Sequence, residues 1–136
     1  MPQFVMFDDD QAFAIVLKKA LLKHGLHCDV YARVDDFLEN ADQNVDLFMV
    51  DLAMPDPSGV HWEFGGLLNV SKVRDARGRD TPVWVLTGYD DARIERECRR
   101  NGADKVIFKG DDIGETADDI AIHWRWRNGD DRRRFR

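Results

Sequence analysis

Cysteine is scarce in this chain: Cys28 and Cys98 are the only two among 136 residues, and they lie far apart. That argues against a disulfide-stapled scaffold and a thiolate zinc site, and it reads as two free thiols in a reducing cytosol. Long apolar runs are missing as well. No segment approaches the roughly 20 residues that a membrane-spanning helix needs. Asp8-Asp9-Asp10 interrupts the first apolar stretch, so no signal-peptide pattern is present. A soluble, cytoplasmic protein without membrane contact is expected. The four histidines, His24, His27, His61 and His123, show no paired ligand spacing and are assigned to the surface or rim. Gly65-Gly66 is not followed by Gly-Lys-Ser/Thr, which excludes a phosphate-binding loop of that kind. Internal repeats and low-complexity linkers are absent. The net charge of −6 argues against a protein that grips nucleic acid over its whole surface, so no direct nucleic-acid binding is expected of this domain.

What is present suffices for one domain with a real core: 136 residues, 43% of them hydrophobic. Apolar runs alternate with amphipathic segments. Gln3 to Phe7 reads as a buried strand. Gln11 to His24 reads as a helix with Phe13, Val16, Leu17, Ala20 and Leu21 on one stripe, stopped by Gly25 as a left-handed cap. His27 to Tyr31 is a less apolar strand, suited to an edge, and Val34 to Asn40 a short helix. Asp46 to Val50 is apolar enough for a central parallel strand.

From Ser58 to Arg79 the pattern weakens, because Gly65-Gly66 splits the apolar positions. A helix from Leu67 to Asp75 is expected, with an insertion between Val60 and Leu68. The Trp and Phe of that insertion are assigned to the core, with a local contact patch as the alternative. Thr81-Pro82 opens a fourth strand. Asp90 to Arg100 is a charge-rich helix anchored mainly by Ile94 and Cys98, and ended by Asn101-Gly102. Lys105 to Phe108 is the fifth strand, and Ile113, Ala117, Ile120, Ala121 and Trp124 form the stripe of a last helix. Five strands alternating with five helices imply a doubly wound α/β fold.

Chemistry gathers at the strand ends. Asp8 and Asp9 follow the first strand, Asp51 the third, Thr87 ends the fourth and Lys109 follows the fifth. In an open parallel sheet the carboxyl ends of the strands share one crevice. Three acids, a hydroxyl and an ammonium meeting there suit a hard cation and a phosphoryl group. Two unit charges 4 Å apart repel by roughly 4 kcal/mol at an effective dielectric of 20, so such acids invite a cation or a raised pKa. Asp10 is read instead as the cap of the following helix.

These residues, with Met54-Pro55 and Ser58-Gly59 behind Asp51, Thr87-Gly88, and Gly102-Ala103-Asp104 ahead of Lys109, resemble a response-regulator receiver domain. The resemblance runs over residues 3–127, leaving residues 128–136 as a basic tail. Arg132, Arg133, Arg134 and Arg136 there read as a disordered solubilising end, or alternatively as the start of a linker. The resemblance implies a flavodoxin-like five-stranded parallel sheet of order 2-1-3-4-5. It implies Mg²⁺ held by Asp9, Asp51 and the Ala53 carbonyl, with Asp8 acting through water. Asp51 would accept the phosphoryl group, Lys109 and Thr87 would meet its oxygens, and the amides of Leu52 and Gly88 would be further donors. The implied partners are a histidine kinase or histidine phosphotransfer protein on one side and a downstream protein or output domain on the other, with a homodimer left open. Such a domain is not an enzyme in the ordinary sense but a phosphoacceptor that assists its own phosphorylation and dephosphorylation.

The chain departs from the family pattern in two places. Val106 stands where the family usually has an aromatic residue, and a β-branched valine cannot make the inward swing. Gly110 stands where proline usually follows the lysine, so a trans bond and a differently held Lys109 are expected. Ala53 and Tyr89 flank the water route, and Tyr89 is expected to shield the acyl phosphate. Two other readings stay open. One is a receiver-like interaction module that takes no phosphate. The other is a haloacid-dehalogenase-type phosphatase using Asp8-Asp9-Asp10, although Ala12 and the closeness of Asp111 to Lys109 fit that pattern poorly.

Overall fold

A computed structural model describes residues 1–40, 44–62 and 64–128. Residues 129–136, and with them the four arginines of the tail, lie outside the described residues. Among the described residues ten elements alternate: β1 (Gln3–Phe7), α1 (Gln11–Leu22), β2 (His27–Tyr31), α2 (Val34–Leu38), β3 (Leu47–Asp51), α3 (Gly65–Arg77), β4 (Val83–Thr87), α4 (Ala92–Arg100), β5 (Lys105–Phe108) and α5 (Ile113–Arg127). The five strands pair in parallel in the order β2-β1-β3-β4-β5, the flavodoxin-like arrangement.

The middle strands β3 and β4 are buried at every position, as a sheet covered on both faces requires. Val5, Phe7, Phe48, Val50, Val83 and Val85 face the layer formed by α2, α3 and α4. Phe4, Met6, Leu47, Met49, Trp84 and Leu86 face α1 and α5. Phe7, Phe37 and Phe48 pack as an aromatic nest, with Phe37 edge-on to Phe48 at 5.4 Å. Full burial of each such ring is worth about 1.5–3 kcal/mol. Cys28 lies on one face and Cys98 on the other, both free and buried. Burial pushes their thiols up to about 12 and about 11, so both stay protonated at neutral pH.

Local signals account for most boundaries. Asp10 caps α1 by accepting from the Phe13 N–H, and Gly25 takes φ +76° beyond its end. Asp91 and Asp112 cap α4 and α5. Pro82 precedes β4 and lends its carbonyl to the Phe48 N–H. Ile94 and Cys98 are the buried residues of α4, as its composition predicts. Arg74 of α3 donates to the carbonyls of Gly102, Gly78 and Thr81 and pairs with Asp104, which ties α3 to the turn before β5.

Several expectations are corrected. Val16 is not on the buried stripe of α1; Ala14, Leu17 and Leu21 are, and Val16 stands half-exposed one residue round the helix. α1 ends at Leu22 and α2 at Leu38, each two residues earlier than the sequence pattern suggests. Gly65-Gly66 does not break α3 but begins it. A Cβ on Gly66 would lie 2.5 Å from the Asp51 carbonyl oxygen, and one on Gly65 2.6 Å from that of Met54. The glycines are there for close approach. Phe64 packs against the core as expected, whereas Trp62 is half-exposed and donates its indole N–H to Asp56.

Candidate functional site

The parallel register delivers the chemistry to one edge. Asp51 is the last residue of β3 and Thr87 the last of β4, and Asp8 and Lys109 each follow directly on a strand. The Asp8 N–H donates to the Tyr31 carbonyl and the Lys109 N–H to the Thr87 carbonyl (2.7 Å), so the ladder fixes both backbones beyond the strand ends. Asp8, Asp9 and Asp51 each offer a carboxylate oxygen within 4.8 Å of the other two. The Lys109 Nζ lies 2.9 Å from Asp51 Oδ1 and 3.9 Å from Asp8 Oδ2. Thus Asp8, Asp9, Asp51 and Lys109 converge as the sequence predicts. Thr87 is buried at the adjoining strand end, where its Oγ1 accepts from the Tyr89 N–H (3.0 Å) and keeps its own proton to donate.

The three acids are not equivalent. Asp9 is half-exposed, Asp51 nearly buried and Asp8 fully so. Asp8 Oδ1 accepts from the Asp10 N–H (2.8 Å), while its buried Oδ2 has no hydrogen-bond partner among the described residues. With only protein groups around it, burial and then the Asp51 charge push the Asp8 carboxyl up to about 7. A buried acceptor left unsatisfied costs about 1–3 kcal/mol. Three oxygen ligands, one of them orphaned, are what a hard divalent cation such as Mg²⁺ fits.

The amide expectations need correction. The Leu52 N–H is spent on the Leu86 carbonyl (2.9 Å) and is not a free donor. The amide aimed at the Asp51 carboxylate belongs to Ala53, 3.4 Å from Asp51 Oδ1. Parallel pairing continues one residue past Asp51, and the turn begins only then. Ala53 itself is exposed.

Some neighbours were not foreseen as part of the site. His61 sits at the rim, its Nε2 3.9 Å from Asp9 Oδ2. The loop carrying it is organised by Asp56, which accepts from Ser58, Val60 and Trp62. The Phe13 ring lies 4.3 Å from the Lys109 Nζ. The Gly110 N–H donates to Thr116 Oγ1 (3.3 Å), a bond proline could not make, and the peptide bond before Gly110 is trans.

The sequence model of the response regulator receiver domain matches residues 4–120. The DNA-binding transcriptional regulator NtrC of Proteus hauseri is 28% identical over 111 residues, 80% of this chain and 22% of that protein. The chain spans between 16% and 48% of the length of the curated relatives it matches. Among solved structures, the receiver domain of the Francisella response regulator 1452 superposes with a TM-score of 0.72 at 23% identity, covering 93% of this chain and 99% of that one. The response regulator TrrA of Thermotoga maritima, solved in complex with Mg²⁺ and BeF, has a TM-score of 0.68 at 23% identity, covering 88% and 96%.

Proposed function

The chain belongs to the response regulator receiver domain family, and from that premise we propose that it is a signalling switch in which Asp51 accepts a phosphoryl group from a partner phosphohistidine. The observation that carries this is the seat of Asp51: its Oδ1 meets the Lys109 ammonium at 2.9 Å, beside two further acids within 4.8 Å. A carboxylate oxygen of Asp51 attacks phosphorus, the P–N bond breaks, and its electron pair leaves with the imidazole. The product is an acyl phosphate. Lys109 shifts from Asp51 to a phosphoryl oxygen, and Thr87 donates its hydroxyl to another. The Ala53 N–H, already near Asp51, is the backbone donor, joined by that of Gly88.

Asp8, Asp9, Asp51 and the Ala53 carbonyl would hold Mg²⁺, which when bound offsets negative charge on the acids and the phosphoryl oxygens. The domain is a phosphoacceptor rather than an ordinary enzyme, although the same groups assist both gain and loss of the phosphoryl group. The donor is a histidine kinase or histidine phosphotransfer protein in the cytoplasm, and the reader a downstream protein or output domain.

Phosphorylation adds about −1.5 to −2 charge beside Lys109 and Thr87. The signal leaves through Gly88 and Tyr89 into α4, which only Ile94 and Cys98 anchor by burial. Val106, half-buried on β5, supplies no aromatic swing. The test is titration with beryllofluoride in Mg²⁺, followed by tryptophan fluorescence. Saturable binding that Asp51→Asn abolishes is expected. No binding by the wild-type protein would leave an interaction module that takes no phosphate.

A further inference from the structure

Lysine carries its charge on a flexible four-carbon stem, so something must aim it. The backbone at Lys109 is held on both sides: its N–H donates to the Thr87 carbonyl (2.7 Å), and the next amide, of Gly110, to Thr116 Oγ1 (3.3 Å). Thr116 Oγ1 in turn donates to the Asp112 carbonyl, which closes the turn into α5. The stem stays free of these bonds. Its far end meets the Phe13 ring, 4.3 Å from Nζ to the ring centroid, inside the roughly 6 Å reach of a cation–π contact. The Lys109 side chain is only 19% exposed, so water weakens that attraction little. Phe13 is itself rooted, because its N–H donates to the Asp10 carboxylate that caps α1. Its ring is half-buried against the core layer under α1 and α5.

We infer that Phe13 is a positioning residue for Lys109, its ring face holding the ammonium beside Asp51 and Asp8. The consequence for phosphoryl transfer rests on the phosphoacceptor reading; the contact itself does not. Without the ring the stem samples more rotamers, and more freedom is lost when the ammonium meets a phosphoryl oxygen. The Phe13 ring makes no hydrogen bond to the acids, and the substitution leaves its backbone N–H on Asp10 in place, so the effect of the ring runs through Lys109.

Two readouts on the intact protein test this, with Phe13→Leu removing the π-face and Phe13→Trp keeping it. The first is the Cε methylene proton resonance of Lys109, assigned with Lys109→Arg. Ring current should displace it upfield in the wild type and in Phe13→Trp, and the displacement should vanish in Phe13→Leu. The second is phosphorylation by acetyl phosphate in Mg²⁺, where phosphorus passes to Asp51 and acetate leaves. Phe13→Leu should slow it roughly three- to tenfold while leaving Mg²⁺ affinity unchanged, and Phe13→Trp should stay within about twofold of wild type. An unmoved Lys109 resonance in Phe13→Leu, equal rates, or a Phe13→Trp rate as slow as Phe13→Leu overturns the proposal. If the wild type takes no phosphoryl group at all, the acceptor reading fails, and the resonance alone decides for or against Phe13.

Discussion

Among the described residues, the cation paired with the buried Oδ2 of Asp8 is the Lys109 ammonium, which stands 3.9 Å away, while 2.9 Å separates it from Asp51. Lys109 therefore compensates Asp51 first and leaves Asp8 with an unmatched buried charge. Burial, followed by the Asp51 charge, pushes Asp8 up to about 7 from an ordinary value of 3.8.

The sign of the pH dependence follows. A carboxyl with a raised folded-state pKa binds a proton that the unfolded chain has already released, so stability falls as pH rises from about 4 through about 7. The Tm in chelator should drop between pH 5 and pH 8. Added Mg²⁺ should flatten that slope, and its own affinity should rise with pH. Asp8→Asn should stabilise the protein in chelator at pH 8 by on the order of a few kcal/mol, read as a higher Tm, and should weaken Mg²⁺ binding. Melting curves across pH, with and without Mg²⁺, check all of this. A flat profile in chelator would contradict it.

Gly66 governs how closely α3 approaches the end of β3. An added Cβ would meet the Asp51 carbonyl oxygen at 2.5 Å and Leu52 Cα at 2.6 Å, all backbone with no rotamer to yield. Gly66→Ala should destabilise the protein by roughly 1–3 kcal/mol and disturb Asp51 chemistry as the strand end shifts. Gly110→Ala meets nothing within 4 Å and should be close to neutral. Urea denaturation of the two variants separates these outcomes.

Tyr89 stands two residues past Thr87, half-exposed, with its N–H on the Thr87 hydroxyl oxygen. Its ring is expected to shield the acyl phosphate, and Ala53 offers no side chain to guide an attacking water. Tyr89→Ala should then speed dephosphorylation severalfold, measured as loss of label after the donor is removed. An unchanged rate would mean the ring does not shield.

Much of this was legible in the sequence because parallel strands put their ends on a common edge. Each strand run is located within about one residue, and residues 8, 9, 51, 87 and 109 take their places from that topology. What escaped depends on contacts across the fold. Gly65-Gly66 reads locally as a break, yet the demand for glycine comes from the backbone of residues 51–56. Val16 has the chemistry of a core residue and the wrong phase on α1. Trp62 looks like core by composition, but Asp56 draws its indole outward. The choice between the Leu52 and Ala53 amides turns on where β3 leaves the ladder, a one-residue matter that pattern does not resolve. The Phe13–Lys109 contact joins residues 96 positions apart (109 − 13) and has no local signature.

The central claim is that Asp51 is the phosphoacceptor. Its most direct test is to phosphorylate the protein with a small phosphodonor in Mg²⁺, reduce the acyl phosphate with borohydride, and locate the modified residue by mass spectrometry. One reduced side chain at position 51, absent in Asp51→Asn, is predicted. Modification at Asp8, or none anywhere, would contradict the account.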